Sequence, residues 1–161
     1  LTDNSVVVLD SNIFIYADQL RSKECINLIT RIVERELHGV LLAHVLAEVM
    51  HVFMIQEAQA KGEMRISSPA KYLSSKPGFV KGLHEYSEKA AKILKFGLQF
   101  ENSIIQDFLS LPFLQRQYGL LTNDALIVAA TQRLGITAIA SADKCFGGIY
   151  GIQHYMPGDL V

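Results

Sequence analysis

The sequence predicts an α/β protein, a three-layer α/β/α sandwich with a mostly parallel central sheet. A continuous run of apolar, mainly β-branched residues from Val6 to Leu9 is typical of a strand buried on both faces. A similar run, Thr137–Ser141, follows a strong helical pattern late in the chain. Strand and helix patterns alternate between them, which favours parallel strands joined by right-handed crossovers. The chain of 161 residues is long enough to bury a core, and residues 1–161 are predicted to form one domain.

Polar caps and apolar periodicity delimit the elements in the first part of the chain. Ser11 and Asn12 are good N-caps for a short helix after the first strand, and Ser22 is suited to cap the second helix. The dipeptide His38-Gly39 is expected to end that second helix. The predicted elements are a strand at Val6–Leu9, helices at Ile13–Ala17 and Ser22–Glu36, a strand at Val40–Leu42 and a helix at His44–Ala60.

The middle and the end of the chain are less regular. Prolines, glycines and serine pairs between Gly62 and Val80 predict a loop or a poorly ordered excursion. Pro112 is expected to interrupt or bend a helix at Ser103–Tyr118, and Gly119 is expected to cap it. The other predictions are a helix at Glu85–Gly97, an ambiguous apolar run at Leu98–Phe100, a helix from a Thr122 cap to Gly135, a strand at Thr137–Ser141 and an edge strand around Ile152–Met156.

The composition argues against several classes of protein. No stretch approaches 18 consecutive apolar residues, so no membrane span is expected. The opening residues LTDNSVVVLD lack the basic region and cleavage pattern of a signal peptide. Cys25 and Cys145 form neither a metal-binding spacing nor a disulfide framework. We therefore expect a cytoplasmic protein that does not associate with membranes.

The formal net charge of -1 conceals an uneven distribution of charge. Residues 61–95 carry eight Lys or Arg and three Glu, so that this segment has a formal charge of +5 and the remainder -6. We expect a basic helical and loop insertion at about residues 62–97. The division suits a protein that binds a polyanion with one part and a cation with another, and a solvated lysine-rich helix is the alternative.

Four acidic residues occupy positions that a purely structural role does not favour. Asp10 directly follows the first strand and Asp143 lies two residues after the strand at Thr137–Ser141, so both are expected at one edge of a parallel sheet. Glu48 and Asp124 lie on the apolar faces of their helices, where an unpaired carboxylate is costly. Asp10 and Asp124 also have structural explanations, as a helix cap and as a favourable charge in a first helical turn.

A cluster of these four carboxylates points to a bound cation. Neighbouring like charges repel one another and raise one another's pKa, so the cluster is unstable alone. Hard oxygen ligands with few His or Cys residues nearby suit Mg²⁺ or Mn²⁺. A metal held in this way can activate a water molecule and stabilise charge on a phosphodiester. The acids therefore predict metal-assisted phosphodiester chemistry in a cleft at the sheet edge.

The order of these patterns resembles the PIN-domain nucleases and, within them, the VapC-type toxin ribonucleases. The segments that carry the resemblance are LDSN after a buried strand, an acid in an inward-facing helix, NDALIVAAT, and SADKCF after a strand. Asn12 and Ser141 match small polar positions of the family that would position ligands through hydrogen bonds. The family's four acidic positions are matched by Asp10, Glu48, Asp124 and Asp143.

The resemblance implies a Mg²⁺- or Mn²⁺-dependent endoribonuclease that cleaves single-stranded or structured RNA. Asp10, Asp124 and Asp143 are then expected to hold the metal, some of them through water. Glu48 would complete the ligand shell or orient the attacking water. A toxin ribonuclease also implies an antitoxin protein that occludes the acidic cleft, and a homodimer.

The basic segment is expected to follow the phosphate backbone of the RNA. Lys81, Lys89 and Lys92 are its candidate contacts. Four aromatic residues are candidates to stack on bases, although packing in the core or on an ordinary surface is the simpler explanation for each. These aromatic residues are Phe14, Tyr16, Phe79 and Tyr86.

The chain departs from the family pattern at two places. Cys145 stands in SADKCF where many members carry another Asp, which weakens the case for a second metal ion. The lysine-rich middle is longer than is usual in the compact toxins. Assignment to the fold family is therefore better supported than assignment to the toxin subgroup.

Three other interpretations account for parts of the sequence. Glu48 and His51 form a Glu-x-x-His pair with His44 nearby, as in di-iron bundles, but the strand patterns oppose a bundle. A strand that ends in Asp is also found in phosphotransferases with an aspartyl nucleophile. Those of the haloacid-dehalogenase type need a second acid where this chain has Asn12. The third is a PIN domain that binds RNA or protein without cutting, which the presence of all four acids disfavours.

Overall fold

The computed structural model describes residues 1–62 and 69–160, in which strands and helices alternate along the chain. No helix in this part of the chain is both long and apolar enough to cross a membrane. The strands are β1 Val6–Leu9, β2 His38–Leu42, β3 Gln99–Glu101, β4 Ala138–Ala140 and β5 Gln153–Tyr155. The helices are α1 Ser11–Asp18, α2 Lys23–Val33, α3 Ala43–Ala60, α4 Pro69–Ser74, α5 Pro77–Val80, α6 Glu85–Ile93, α7 Ile105–Tyr118 and α8 Thr122–Arg133.

The five strands form one parallel sheet in the order β3-β2-β1-β4-β5. Strand β1 is central, and Val7, Val8 and Leu9 are fully buried, which explains why its sequence is apolar without alternation. The chain steps from β1 to β2 and β3 in one direction, then crosses back over β1 to reach β4. Right-handed connections therefore place α7 and α8 on the face opposite α1, α2, α3 and α6. The predicted three-layer α/β/α sandwich is confirmed.

The order of the strands reverses between β1 and β4. Leu9 and Ala140 are paired in register, and the Asp10 N–H donates a hydrogen bond to the Ala140 carbonyl oxygen at 3.0 Å. Asp10 and Ser141 therefore leave adjacent strands at the same level. Open α/β sheets bind their ligands beyond the carboxyl ends of the strands at such a reversal.

Several predicted boundaries are wrong by one to four residues. The N-cap of α1 is Asp10, whose side chain accepts a hydrogen bond from the backbone N–H of Ser11, and not Ser11 or Asn12. Ser22 caps α2 as predicted, because its hydroxyl accepts from the backbone N–H of Cys25. Helix α2 ends at Val33, β2 begins at His38, α6 ends at Ile93, and Leu121 takes the N-cap position of α8.

The predicted loop between Gly62 and Val80 is wrong where the structure describes it, because α4 and α5 lie there. Helix α5 begins at a proline, which fits a first helical turn because no N–H partner is needed at that position, and Pro69 is the first described residue of α4. Leu73 and Leu83 pack with Ala58 of α3 in a small second apolar cluster. Residues 63–68, which include the serine pair at 67–68, lie outside the described residues.

Pro112 does not interrupt α7, which continues from Ile105 to Tyr118. The proline lies on the exposed face of the helix, so the Phe108 carbonyl that loses its helical donor is on the side open to water. Gly119 ends the helix as predicted, with a φ of 71° that glycine adopts without strain. The ambiguous run at Leu98–Phe100 corresponds to the edge strand β3, one residue further on.

A buried carboxylate joins the end of α3 to the start of α6. Glu57 is 5% exposed, and its Oε1 accepts hydrogen bonds from Lys61 Nζ at 2.6 Å and His84 N at 3.0 Å. Its Oε2 accepts from Tyr86 N at 3.0 Å. Burial opposes ionisation, but the ammonium group and the backbone amides outweigh it and lower the pKa of Glu57 to about 2. The basic segment is thus anchored to α3 through one ionised side chain.

We expect Glu57→Gln to lower the free energy of unfolding by about 2 kcal/mol at pH 7, because buried donors lose an ionised acceptor. The folded pKa lies below the ordinary value of 4.5, so this stabilisation is complete above about pH 4.5 and is lost as the pH falls towards 2. Urea unfolding at pH 7 and pH 3 measures the effect, which should be smaller at pH 3. Glu88→Gln, an exposed change in the first turn of α6, is the control. Equal losses in the two variants would contradict this role of Glu57.

Candidate active site

The carboxylate of Asp10 is buried at the carboxyl end of β1, where its side chain is surrounded by hydrogen-bond donors. The residue is 4% exposed. Its Oδ1 accepts from Ser11 N at 2.6 Å, and its Oδ2 accepts from Ser141 Oγ at 2.6 Å and Asn12 Nδ2 at 2.7 Å. Asp10 therefore both caps α1 and faces the reversal point of the sheet, and its orientation is fixed by donors from α1 and from the segment after β4.

Asn12 and Ser141 hold the segment after β4 against the segment after β1. Asn12 Oδ1 accepts from Ala142 N at 2.9 Å, while its Nδ2 lies 3.1 Å from Ser141 Oγ and 3.3 Å from Asp143 Oδ2. Ser141 Oγ also accepts from Asp143 N at 3.0 Å. The structure therefore brings these two small polar residues and Asp143 to Asp10. Asp10 and Asp143 lie at one edge of the sheet, as their positions after parallel strands led us to expect.

Glu48 is held by neutral donors from two other helices. Ser11 Oγ, in the first turn of α1, donates to Glu48 Oε1 at 3.1 Å. Asn123 Nδ2, in the first turn of α8, donates to Glu48 Oε2 at 3.3 Å. A half-buried carboxylate is thus accommodated on the inward side of α3 without a cationic partner in these contacts.

All four predicted acids line one cleft of about 300 Å³. They differ in exposure: Asp10 is buried, Glu48 and Asp124 are half-buried, and Asp143 is exposed. The cleft therefore has a buried acidic floor at Asp10 and a side open to solvent at Asp143. Its other lining residues are Ser11, Leu121, Thr122, Asn123 and Ile127.

Burial and nearby carboxylates raise the pKa of two of the acids, Asp10 and Asp124. Burial raises the pKa of Asp10 against the hydrogen bonds from Ser141 and Ser11, and the charges of Asp143 and Glu48 raise it further. Burial also raises the pKa of Asp124, to which Asp143 adds. The Cys145 thiol is hydrogen-bonded to Asp124, and burial together with the nearby acids raises the pKa of that thiol to about 12. The cleft therefore favours positive charge and keeps the cysteine neutral.

The chemistry of the cleft fits a hard divalent cation. Its titratable side chains are carboxylates, and one Asp10 oxygen has a single protein donor, which leaves it able to accept a further partner. In the described ranges, no three His, Cys, Asp or Glu side chains are already arranged as metal ligands. The donor set therefore suits Mg²⁺ or Mn²⁺. Three of these side chains would coordinate the ion directly only after moving closer together; in the arrangement described, some would bind it through water.

Three residues of this region were not assigned their contacts from the sequence. The sequence predicts Ser11 only as a helix cap and places Asn123 in a motif without giving it a role. His154 Nε2 donates to the Ser141 carbonyl oxygen at 2.8 Å, while its ring lies 5.9 Å from that of Phe146. For Ser11 and Asn123, the available signal in the sequence was that each is a polar residue next to a predicted acid, Asp10 or Asp124. His154 comes from an edge strand, and its sequence position gave no signal.

The predicted RNA-binding lysines do not line the acidic cleft. Lys89 Nζ forms an ion pair with Asp18 at 2.5 Å and lies 5.2 Å from the centre of the Phe53 ring. Lys89 and Lys92 line a second, mainly apolar cleft of about 300 Å³ between α1, α2, α3 and α6. Lys81 is exposed at the end of α5. The basic segment and the carboxylates are therefore separate surface features.

The four aromatic residues proposed to stack on bases make contacts within the protein. Phe14 is 2% exposed and belongs to the main core. The Tyr16 ring is covered by the Arg21 guanidinium, whose carbon lies 4.8 Å from the ring centre. Phe79 and Tyr86 pack against the small second cluster. Phe14 therefore has no free ring face for a base.

Comparison with known proteins identifies the fold independently. The family profile described as PIN domain matches residues 7–151. No curated protein matches the chain significantly. A toxin-antitoxin complex from Klebsiella pneumoniae is similar in structure, with 16% identity and a TM-score of 0.59 over 91% of this chain and 95% of that chain. VapBC2 from Rickettsia felis, bound to a promoter DNA fragment, has 15% identity and a TM-score of 0.57 over 94% of this chain and 98% of that chain. PAE2754 from Pyrobaculum aerophilum has 14% identity and a TM-score of 0.54 over 94% of this chain and 83% of that chain.

At these identities the solved structures bear on the fold alone, whereas the family profile covers most of the chain. PIN domains are generally nucleases that use divalent metals. The profile match, together with the parallel sheet order and its acidic reversal point, shows that this chain belongs to the PIN domain family.

Proposed function

We propose that this PIN domain is a divalent-metal-dependent endoribonuclease that hydrolyses phosphodiester bonds in single-stranded or structured RNA. The observation that carries the proposal is the cleft itself. Its four carboxylates come from α3, α8 and the ends of β1 and β4, and they line one open cavity at the reversal point of the sheet. A shared acidic cavity of this kind is costly unless it binds a cation or another cationic group.

Each residue of the cleft has a distinct part in the proposed mechanism. Asp10, Asp124 and Asp143 would hold a Mg²⁺ or Mn²⁺ ion, which when bound supplies positive charge for the phosphate and acidifies a water molecule. Glu48, oriented by Ser11 and Asn123, would accept a hydrogen bond from the attacking water. The hydrogen bonds to Asp10 keep its carboxylate in a fixed direction while substrate binds, which limits reorganisation during the reaction.

We further propose that the chain acts in the cytoplasm as the toxin of a toxin–antitoxin pair. The support is a structural neighbour described as a toxin–antitoxin complex, together with the VapBC2 neighbour. A toxin ribonuclease needs an inhibitor in the cell that makes it. An antitoxin could cover the cleft and direct a cationic group at the four carboxylates. That group would offset the repulsion between the acids, and the cover would inhibit the enzyme.

The first prediction concerns metal-dependent cleavage. Purified protein should cleave RNA with Mn²⁺ or Mg²⁺ and lose this activity in EDTA. Asp10→Asn should lower the rate at least about 100-fold, because it removes the buried carboxylate charge while retaining the shape of the side chain. The matched control is Asp3→Asn, the same change on a side chain that is 75% exposed and precedes β1.

The outcomes of this experiment separate the candidate functions. Cleavage that persists in EDTA, or in Asp10→Asn at the wild-type rate, would contradict the proposed mechanism. If folded wild-type protein cleaves none of several single-stranded and structured RNAs, Mn²⁺ titration decides the next step. Binding lost in Asp10→Asn would indicate an intact site with a narrow RNA target. Absence of binding in both proteins would favour a PIN domain that binds RNA or protein without cutting.

A second prediction concerns the basic segment. Lys81→Ala combined with Lys92→Ala should weaken RNA binding and reduce the slope of log affinity against log salt by about 1.4, or 0.7 for each lost phosphate contact. Lys89 is less informative because it already neutralises Asp18. Fluorescence anisotropy over a series of salt concentrations measures the slope. Lys23→Ala, at the start of α2, is the control. An unchanged affinity and slope in the double variant would make these lysines part of an ordinary solvated surface.

A further inference from the structure

The peptide unit that joins Ser141 to Ala142 is held at both of its hydrogen-bonding ends. Its carbonyl oxygen accepts from His154 Nε2 at 2.8 Å, and its N–H donates to Asn12 Oδ1 at 2.9 Å. His154 belongs to the edge strand β5, whereas Asn12 follows β1, and β4 lies between these two strands in the sheet. Because a peptide unit is planar and rigid, two opposed hydrogen bonds fix the orientation of the whole plane.

Ser141 is fully buried, and each of its polar groups has a partner in the protein. Its backbone N–H donates to the Tyr155 carbonyl oxygen at 3.1 Å. Its hydroxyl donates to Asp10 Oδ2 at 2.6 Å and accepts from Asp143 N at 3.0 Å. The carbonyl oxygen, which accepts from His154, would be left without a donor in a buried position if that side chain were removed. The His154 hydrogen bond therefore completes the set that holds this residue.

The His154 ring contacts the segment after β4 on both sides of Asp143. Before Asp143 it donates to the Ser141 carbonyl oxygen, and after Asp143 it packs against the buried Phe146 ring, with ring centres 5.9 Å apart and planes tilted by 57°. A carbonyl oxygen can only accept, so Nε2 carries the proton. The ring thus supports the turn that carries Asp143 from behind.

From this geometry we infer that His154 is a positioning residue for Asp143. The direction in which the Asp143 side chain leaves the backbone follows from the peptide plane that precedes Ala142. The exposed Asp143 carboxylate itself is contacted by Asn12 Nδ2 at a distance of 3.3 Å, which is a long hydrogen bond. The main restraint on this carboxylate is therefore its backbone, which His154 holds.

This inference gives the edge strand a part in the candidate site. No residue of β5, whose three residues are all described, lines the acidic cleft. The groups behind a metal ligand fix its direction and so affect how tightly the metal binds. That Asp143 is a metal ligand rests on the proposed function, whereas the positioning of Asp143 by His154 does not.

Two variants of His154 and a matched control test the inference. His154→Leu removes the donor and keeps an apolar side chain against Phe146, whereas the amide nitrogen of His154→Gln can take the place of Nε2 and donate to the same carbonyl. His38→Leu is the control, because His38 is an exposed histidine at the start of β2, at the opposite edge of the same sheet. Circular dichroism establishes that the variants fold.

The first measurement is hydrogen exchange of individual backbone amides, by NMR, in the metal-free full chain without RNA. Exchange at Ala142 and Asp143 should become at least about tenfold faster in His154→Leu, because a buried acceptor loses its donor and the local structure opens more often. The amides of Val40 and Leu41 in β2 should keep their rates, and His154→Gln and His38→Leu should resemble the wild type. Unchanged exchange at residues 142–143, or equal acceleration in β2, would overturn the inference.

The second measurement is calorimetric titration with Mn²⁺. His154→Leu should bind Mn²⁺ about tenfold more weakly than the wild type, and His154→Gln should recover most of that loss. A wild type and His154→Leu that bind Mn²⁺ equally tightly would overturn the inference, because His154 would then have a structural role alone. A wild type that binds no Mn²⁺ would instead contradict the proposed function, and the exchange rates at residues 142–143 would still decide whether His154 positions Asp143.

Discussion

The hydrogen bonding of the Asp10 carboxylate is the constraint on which the arrangement of the cleft depends. Asp10 is buried at the end of the central strand, where donors from α1 and from the segment after β4 converge on it. An ionised carboxylate at this depth is tolerable because those donors partly replace water. The same contacts fix the beginning of α1 and bring Asp143 to the cleft through Asn12 and Ser141. Local helix capping and assembly of the site are therefore one set of interactions.

The acidic cleft also depends on neutral residues that separate its charges. Ser11 and Asn123 hold Glu48 with hydroxyl and amide donors, which stabilise the carboxylate without cancelling its charge. Arg133 has the opposite role at Asp107, where a two-point ion pair neutralises an acid that faces the core. The fold therefore holds two kinds of acid. Glu48 in the cleft keeps its negative charge because its donors are neutral, whereas the buried Asp107 is paired with the Arg133 cation.

Much of the fold followed from patterns whose physical origin is local. The β-branched run at Val6–Leu9 indicated a central parallel strand, and the buried β1 agrees with it. Pro112 was misjudged because its effect depends on which side of α7 it occupies, and an isolated periodicity does not show that side. The helices α4 and α5 were missed because Leu73 of α4 and the partly buried Phe79 and Val80 of α5 pack in the cluster around Ala58 of α3. Such contacts join segments distant in sequence, and composition does not reveal them.

The candidate site was predictable to the extent that strand ends determine position. Asp10 and Asp143 could be placed together because parallel strands bring their carboxyl ends to one edge. The hydrogen-bond partners of Glu48 could not be predicted, because Ser11 and Asn123 reach it from helices on opposite faces of the sheet. The lysines illustrate the same limit, since a net charge of +5 over residues 61–95 does not show that Lys89 is paired with Asp18.

The cysteine at the family's additional acidic position affects how much positive charge the cleft needs. Burial and the adjacent carboxylates raise the pKa of the Cys145 thiol to about 12, so the side chain stays neutral near pH 7. A neutral hydrogen-bond donor beside Asp124 relieves repulsion that a further carboxylate would increase. The cleft therefore carries at most four negative side-chain charges rather than five. Under the proposed function, this lower charge weakens the case for a second metal ion beside the first.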